Sequence, residues 1–403
     1  MEIPLSADLL TTDFKPESIY ICFEAFPRPK GASSHIASMV EAMSKTFGSV
    51  LLISLGYADL PAFQVEGNIY IKRYKQYHPN MLKRAEGFAE FISDTLARYG
   101  ENVKLTVYRD PWSGAPAVTS GIPGKKIFEV NALPSWELEY TYPNIKKKVS
   151  LMTKITDIEN LCLRNSDAIL TVSDVTAKAL TSKGVKKEIC AIPNSAHNAF
   201  FSPDTCTIDE LDYGKWFGYF GSLHSWQGVE VAIDAFAMIA DELHDYNMLI
   251  VTGGKKLTRK MLRKRIRKKG LEDRILFIPS LPTEELAAAV NKLDFTLCPL
   301  VETSRNTYQG CCPIKIVESM AAGKPVIASD LEVCRKLIKN NEDGLLVPAG
   351  SKRRWGHAIL DLANNQELLN KLSKNARITA TQDFSREHIH AELKDYFLHT
   401  LSH

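Results

Sequence analysis

Two side chains between Gln309 and Asp330, Lys315 and Glu318, stand where they could act on a charged ligand. The segment reads Q-G-C-C-P-I-K-I-V-E-S-M-A-A-G-K-P-V-I-A-S-D. Its pattern is loop, helix, tight stop and buried strand. Pro313 suits a first helical turn, where a missing N–H costs nothing. Gly323 follows the last helical residue, as a left-handed cap requires. Pro325-Val-Ile-Ala then gives a short apolar run fit for a strand buried on both faces. A small-residue loop that opens a helix offers free N–H groups and the positive end of the helix dipole to an anion. Lys315 falls in the first turn and Glu318 in the second, so a cation and a carboxylate flank that anion. Phosphate beside a carboxylate that accepts sugar hydroxyls describes a nucleotide or nucleotide-sugar pocket.

The elements around this segment alternate. Ser18-Ile-Tyr-Ile-Cys-Phe reads as a buried strand, followed by a Pro-, Lys- and Gly-bearing loop. Ile36, Met39, Val40 and Met43 then recur at helical spacing before the strand Val50-Leu-Leu-Ile-Ser-Leu, which makes a βαβ unit. Further strands are expected at 104–108, 126–130, 168–172 and 189–192. The pattern pauses at Pro193-Asn-Ser-Ala-His-Asn-Ala-Phe-Phe-Ser-Pro-Asp, a polar linker candidate. It restarts with a strand at 215–220, the glycine turn at Gly221, a helix over 229–239, and strands near 247–252, 274–278 and 295–299, with a helix over 284–293 before the last. The expectation is α/β: two tandem doubly wound domains, 1–200 and 201–383, with the ligand in a cleft between them.

Composition narrows the function. The chain has 403 residues, too many for one ordinary core. A net charge of +3 gives no argument for nucleic acid. Eight cysteines lack metal-ligand spacing, and free thiols with no visible signal peptide suit a reducing cytoplasm. No apolar run reaches the ~20 residues that span a bilayer.

The ordered motifs P-x-P-x-G-A-S-x-x-H, S-D-A-I-L-T-V-S, A-I-P-N-S with F-S-P-D, Y-F-G-S-L-H-S-W-Q-G-V-E, V-T-G-G, P-I-K-I-V-E-S-M-A-A-G-K-P-V-I-A-S-D and D-G-L-L-V-P-A-G together resemble one family. It is the retaining GT-B glycosyltransferases of glycosyltransferase family four, of the bacterial exopolysaccharide and cell-envelope type. The resemblance runs over nearly the whole chain from about Ser18. It implies two Rossmann-like domains, the donor held by the C-terminal one and the acceptor by the N-terminal one, no metal, and a last helix (384–403) that crosses back to the N-terminal domain. The chain also has no Asp-x-Asp pair to grip a metal-bound diphosphate.

Residue by residue, Glu318 matches the second glutamate of the family's Glu-x7-Glu motif, which accepts hydrogen bonds from the ribose. The first glutamate falls at Gly310. The loop Gln309, Gly310, Cys311, Cys312, with Ile314 after it, then has to meet the donor sugar through backbone N–H groups or Gln309, unless Glu302 folds back to supply the carboxylate. The family's diphosphate-clamping Arg and Lys fall at Ser222 and Gln227. Substitutes are Lys315, Lys255, Lys256, His224 and the amides after Gly221; the two turn lysines and the histidine read equally as solvated surface. Gly31 and Ala32 open the helix that carries His35, and a glycine there lets backbone approach the donor phosphates. Asn131 stands where relatives place a histidine near the donor sugar. His35, Asn131 and Lys315 form the catalytic set implied. Arg109 and Asp110 could hold acceptor hydroxyls with Trp112 stacked on a sugar face, or they are a capped strand end with a core tryptophan.

The implied reaction moves a hexose, glucose from UDP-glucose by frequency among relatives, to a saccharide or lipid-linked saccharide acceptor. Uracil, adenine and guanine all remain open as the base. Two other readings stay beside it: a nucleotide-sugar epimerase of the same fold, and a nucleotide-binding protein without transfer. One charge run is separate. Residues 259–269 hold eight basic side chains with Met261, Leu262 and Ile266 between them. They form either a solvated helix face or a peripheral contact with anionic membrane.

Overall fold

The computed structural model describes residues 14–28 and 31–403. The N-terminal stretch read as lacking a signal peptide, and Pro29 and Lys30 of the first motif, lie outside the described residues. The chain forms two compact units.

The first unit holds residues 14–28, then His35–Ile192 and His390–His403. Its eight strands are β1 (Ser18–Ala25), β2 (Val50–Leu55), β3 (Phe63–Glu66), β4 (Ile69–Tyr74), β5 (Leu105–Tyr108), β6 (Lys125–Val130), β7 (Ala168–Thr171) and β8 (Ile189–Ala191). They lie in the order β3-β4-β2-β1-β5-β6-β7-β8. All neighbours are parallel except the β3–β4 hairpin, whose Phe63 faces Lys72. Apolar runs such as V-L-L-I-S in β2 suit this sheet because helices cover both faces. Ser18 of β1 pairs with Val50 on one side and Leu105 on the other. The order of connection therefore reverses between β1 and β5, and the carboxyl ends of those strands are where such sheets bind ligands.

The second unit holds Pro193–Ile389 together with residues 31–34. Its six strands are β9 (Lys215–Phe220), β10 (Tyr246–Val251), β11 (Ile275–Ile278), β12 (Phe295–Cys298), β13 (Val326–Ser329) and β14 (Leu345–Val347). All are parallel, in the order β11-β10-β9-β12-β13-β14, so the reversal falls between β9 and β12. Phe217 of β9 stacks on Phe295 of β12 at 5.3 Å and meets Phe236 of the helix Val229–Ile239 edge-on at 5.0 Å. These rings fix the strands that carry the site loops.

The passage to the second unit lies at Pro193, not after residue 200. The expected polar linker is tied down instead. The Asn194 side chain donates to Cys312 O at 3.0 Å, Ala196 N donates to Phe384 O at 2.9 Å, and the guanidinium of Arg377 donates to the Phe201 carbonyl at 2.6 Å. The helix Arg386–Ser402 starts two residues later than expected. From His390 onward it goes with the first unit. There His390 Nε2 lies 3.0 Å from Ser38 Oγ, and Tyr396 donates to Ile169 O at 3.0 Å. No helix among the described residues is long and apolar enough to cross a membrane.

Candidate functional site

In the second unit, chemistry gathers at the N-terminus of the helix Ile314–Ala321. Pro313 stands just before the helix as its cap residue, rather than inside the first turn. The helix stops as the sequence requires. Gly323 takes φ +68°, its N–H donates to Met320 O, and Lys324 N donates to Ser319 O, the paired bonds of a glycine-terminated helix.

Lys315 is buried. Its Nζ donates to Gln227 Oε1 at 2.7 Å and lies 4.1 Å from the centre of the Tyr219 ring. Tyr219 is fixed in turn by donating to Ser222 O at 2.6 Å. Gly221, at φ +140°, leaves the room that Lys315 occupies, since a Cβ there would stand 2.9 Å from Nζ. So the loop after β9 and the helix N-terminus converge on one ammonium group. Burial pushes the Lys315 pKa down, against the opposing pull of Cys298, Cys334, Cys311 and Glu318.

Glu318, 5% exposed, has a carboxylate that makes no hydrogen bond among the described residues. Burial raises its pKa to about 8, and Lys315 only partly offsets this. A carboxylate almost wholly buried without a protein partner is costly unless a ligand completes it.

The preceding loop is built by its own bonds. Arg305 Nη1 donates to Gly310 O, with Gly310 at φ +80°. Asn306 donates to Trp226 O and Val301 O at 2.9 and 2.8 Å, and Gln309 is buried. Cys312 accepts from Asn194 N at 3.4 Å, and burial lifts its thiol to about 12. Cys311 Sγ lies 3.9 Å from Asn306 Oδ1. Glu302 is exposed and does not replace the missing glutamate; the Arg305 bond holds Gly310 instead. Gly31 packs against the helix start, where an added Cβ would stand 3.0 Å from Ile314 Cγ2; Ala32 is half-buried beside it.

The other proposed cations make no bond to Lys315 or Glu318 among the described residues. His224 stacks on Trp226, centroids 4.2 Å apart and planes 5° apart. Lys255 and Lys256 are exposed where the helix Lys256–Lys268 begins, with no bond to the Lys315 group.

In the first unit the decisive residue is one that motif reading passed over. Glu129, fully buried in β6, receives Tyr20 Oη at 2.6 Å on Oε2. On Oε1 it receives His35 Nε2 at 2.6 Å and the Asn131 amide, with Arg109 Nε at 3.6 Å. The donors come from β1, from the helix Gly31–Phe47 and from the ends of β5 and β6, on the switch-point side of the sheet. Burial alone would raise the Glu129 pKa, but His35, Arg109 and Tyr20 hold it down at about 2. The one signal in sequence was a carboxylate inside an otherwise buried strand, K-K-I-F-E-V.

The Arg109–Asp110 pair does not form. Arg109 turns to Glu129, and its buried Nε makes no hydrogen bond among the described residues. Asp110 instead caps the helix Pro111–Thr119, accepting from Ser113 N at 2.9 Å and Ser113 Oγ at 3.0 Å, and ties β1 through Phe23 N at 2.7 Å. These bonds use the acceptor capacity that a sugar would have needed, and burial raises the Asp110 pKa to about 6. Trp112 is half-buried on that helix.

Residues 212–379 match the family model described as glycosyl transferases group 1, a span that begins just before β9 and holds Gly221, Lys315 and Glu318. The chain is similar to a phosphatidyl-myo-inositol mannosyltransferase of Mycobacterium leprae, 32% identical over 142 residues, 35% of each chain. It is also similar to a D-inositol 3-phosphate glycosyltransferase of Jonesia denitrificans, 27% identical over 173 residues, 42% of this chain and 39% of the relative. The aligned stretch thus spans only a little over a third of these curated relatives. Among solved structures, a sucrose-phosphate synthase from Thermosynechococcus elongatus superposes with a TM-score of 0.78 at 18% identity, covering 96% of this chain and 99% of that one. HepE of Anabaena, solved with UDP and glucose, gives 0.71 at 15% identity, covering 95% and 100%. These likenesses show that the chain has the GT-B fold, two Rossmann-like domains.

Proposed function

We propose that this chain is a glycosyl transferase that moves a hexose from a nucleotide-sugar to a saccharide or lipid-linked saccharide acceptor, with retention at the anomeric carbon. The observation that carries the reading is the buried, unpartnered Glu318 carboxylate one helical turn from buried Lys315. A nucleoside diphosphate supplies what this pair lacks. Its ribose hydroxyls donate to Glu318, while its phosphates meet Lys315 and the N–H groups opening the helix Ile314–Ala321. Glucose from UDP-glucose is the donor proposed, with support from the Anabaena HepE neighbour solved with UDP-glucose.

In the proposed step the bond from the anomeric carbon to the β-phosphate oxygen breaks while an acceptor oxygen bonds on the same face. As that bond breaks its electron pair stays on the phosphate oxygen and charge grows on the diphosphate, until the departing oxygen takes the acceptor's proton. Lys315 and the helix amides stabilise that charge without a metal ion. In the first unit His35, Asn131 and Arg109 are proposed to meet sugar hydroxyls, with Glu129 holding all three. The acceptor role read for Asp110 is not kept.

One observation favours a second reading, nucleotide binding without transfer. Lys315 is already bonded to Gln227, and neither Ser222 nor Gln227 carries a charge. A panel of UDP-, GDP- and ADP-sugars, assayed by calorimetry and by slow donor hydrolysis, separates the two. Binding of one donor with release of its nucleotide is the expected result. Tight binding with no release over a broad acceptor screen would establish the second reading, and no binding of any nucleotide would defeat both.

A further inference from the structure

The helix Lys256–Lys268 carries a surface that the sugar-transfer reading does not use. Ten basic residues lie between Gly254 and Gly270 with no acidic one, in a chain whose net charge is only +3. Positive charge is therefore concentrated here while the rest of the chain is net acidic. The helix packs through Leu262 and Ile266, both buried.

Four of these ten cations are committed to the protein. Arg265 forms a two-point pair with Asp234 at 3.0 and 2.6 Å, and Lys269 lies 3.9 Å from the same carboxylate. Arg267 donates to Glu272 at 2.8 Å. Arg263 donates to Phe277 O at 3.3 Å and lies over the Phe277 ring at 4.7 Å. Lys256, Lys260, Lys264 and Lys268 are different. They recur every four residues, so they form one row along the helix, opposite the buried Leu262 and Ile266. All four are exposed and have no ion pair among the described residues. Like charges at that spacing oppose helix formation.

Next to this row stand Leu257 and Met261, 68% and 65% exposed. Two long apolar side chains among lysines on the most solvated face fit one kind of surface. Leucine and methionine can enter the acyl boundary of a bilayer while lysine stems lie along it and their ammonium groups reach lipid phosphates. A nucleic acid backbone would use the lysines but offers the two apolar side chains no comparable refuge. The helix has thirteen residues, about 20 Å of length, enough to lie across several headgroups.

We propose that the outward face of the helix Lys256–Lys268 docks this protein on an anionic lipid bilayer, with Lys256, Lys260, Lys264 and Lys268 at the headgroups and Leu257 and Met261 inserted. This sharpens the expected 259–269 contact, moving it one turn toward the N-terminus, because the exposed apolar pair begins at Leu257. The proposal does not depend on which sugar or nucleotide the protein uses.

The test is co-sedimentation of the whole chain with large vesicles, either pure phosphatidylcholine or phosphatidylcholine enriched in phosphatidylglycerol. Binding is expected only to the anionic vesicles and is expected to weaken with salt. The triple variant K260Q/K264Q/K268Q should lose about fivefold in partitioning per lysine, about a hundredfold in all. The double variant L257S/M261S should also bind these vesicles at least tenfold more weakly, by about the burial of two such side chains, yet keep its affinity for heparin. Circular dichroism of both variants should match the parent, since only exposed side chains change. Failure to bind anionic vesicles would overturn the proposal. So would unchanged vesicle binding by L257S/M261S, or duplex DNA bound as tightly as vesicles at equal salt; those outcomes would make the patch a polyanion site.

Discussion

Glu129 in the first unit and Glu318 in the second are the same residue type, and both are out of water. Glu129 sits among Tyr20, His35, Asn131 and Arg109, and its pKa falls to about 2. Glu318 has only Lys315 near it and no hydrogen bond, and its pKa climbs to about 8. The difference lies in the donors that the fold supplies, not in burial. Where the chain meets every lone pair, a buried carboxylate becomes a fixed post that orients its neighbours. Where it meets none, the acid form is favoured and the lone pairs stay open to the donors that the proposed nucleotide would bring. The two also act on stability with opposite pH dependence. Glu129, lowered, contributes stability above the ordinary carboxyl range of about 4.3 and loses it as pH falls toward 2. Glu318, raised, favours the fold below about 4.3 and loses that contribution as pH rises toward 8.

The sharpest way to break this contrast is Glu129→Ala. It strips Tyr20, His35, Asn131 and Arg109 of one shared acceptor, and the fold should lose about 3–5 kcal/mol in urea denaturation. A loss below about 1 kcal/mol would show that Glu129 is not the post described. Next comes Glu318→Gln. Removing the buried acid should stabilise the ligand-free protein at pH 8 by up to roughly 3 kcal/mol, seen as a higher melting temperature, with the gain vanishing near pH 4. The same variant should bind UDP about tenfold or more weakly. In the parent, UDP affinity should rise between pH 6 and 8 as Glu318 ionises, by up to about tenfold per unit, and the variant should lose that slope. A melting temperature unmoved at pH 8 would mean that Glu318 already has a partner.

Lys315→Met tests the cation of the pair. Calorimetry should show UDP weakened by about 1.5–3 kcal/mol while uridine is unaffected, because only the diphosphate meets the ammonium. Equal loss for both ligands would place the phosphates elsewhere. The smallest effect is expected from Gly221→Ala. A methyl 2.9 Å from Lys315 Nζ on a backbone at φ +140° should cost about 1–3 kcal/mol of stability by thermal melts, with a smaller drop in UDP affinity.

Much of the second unit was legible in the sequence because its signals are local. The 229–239 helix, the Gly323 stop and the Lys315–Glu318 spacing each fall within a dozen residues. The Glu129 cluster was not legible, because Tyr20 and Glu129 are 109 positions apart and meet only when β1 and β6 share a sheet. The β3–β4 hairpin was missed for another reason. Its alternating F-Q-V-E and I-Y-I-K-R-Y marks an edge exposed on one side, without the unbroken apolar run that identifies the doubly buried strands. β14 has three residues, too few for any periodicity. Of the two readings of Arg109 and Asp110, the capping one describes Asp110, and sequence adjacency could not choose between them because it does not set direction: one side chain turns to β6 and the other caps a helix.

The helix Arg386–Ser402 also bears on the order in which the protein can mature. Translation yields residues 193–389 in full before 390–403 exist, so the second unit can close while the first still lacks the partner of Ser38 and of the Ile169 carbonyl. A chain released at residue 389 would thus carry a complete second unit and an incomplete first. Fragments ending at residue 192 should be poorer folders than a circularly permuted version that brings 390–403 ahead of residue 35.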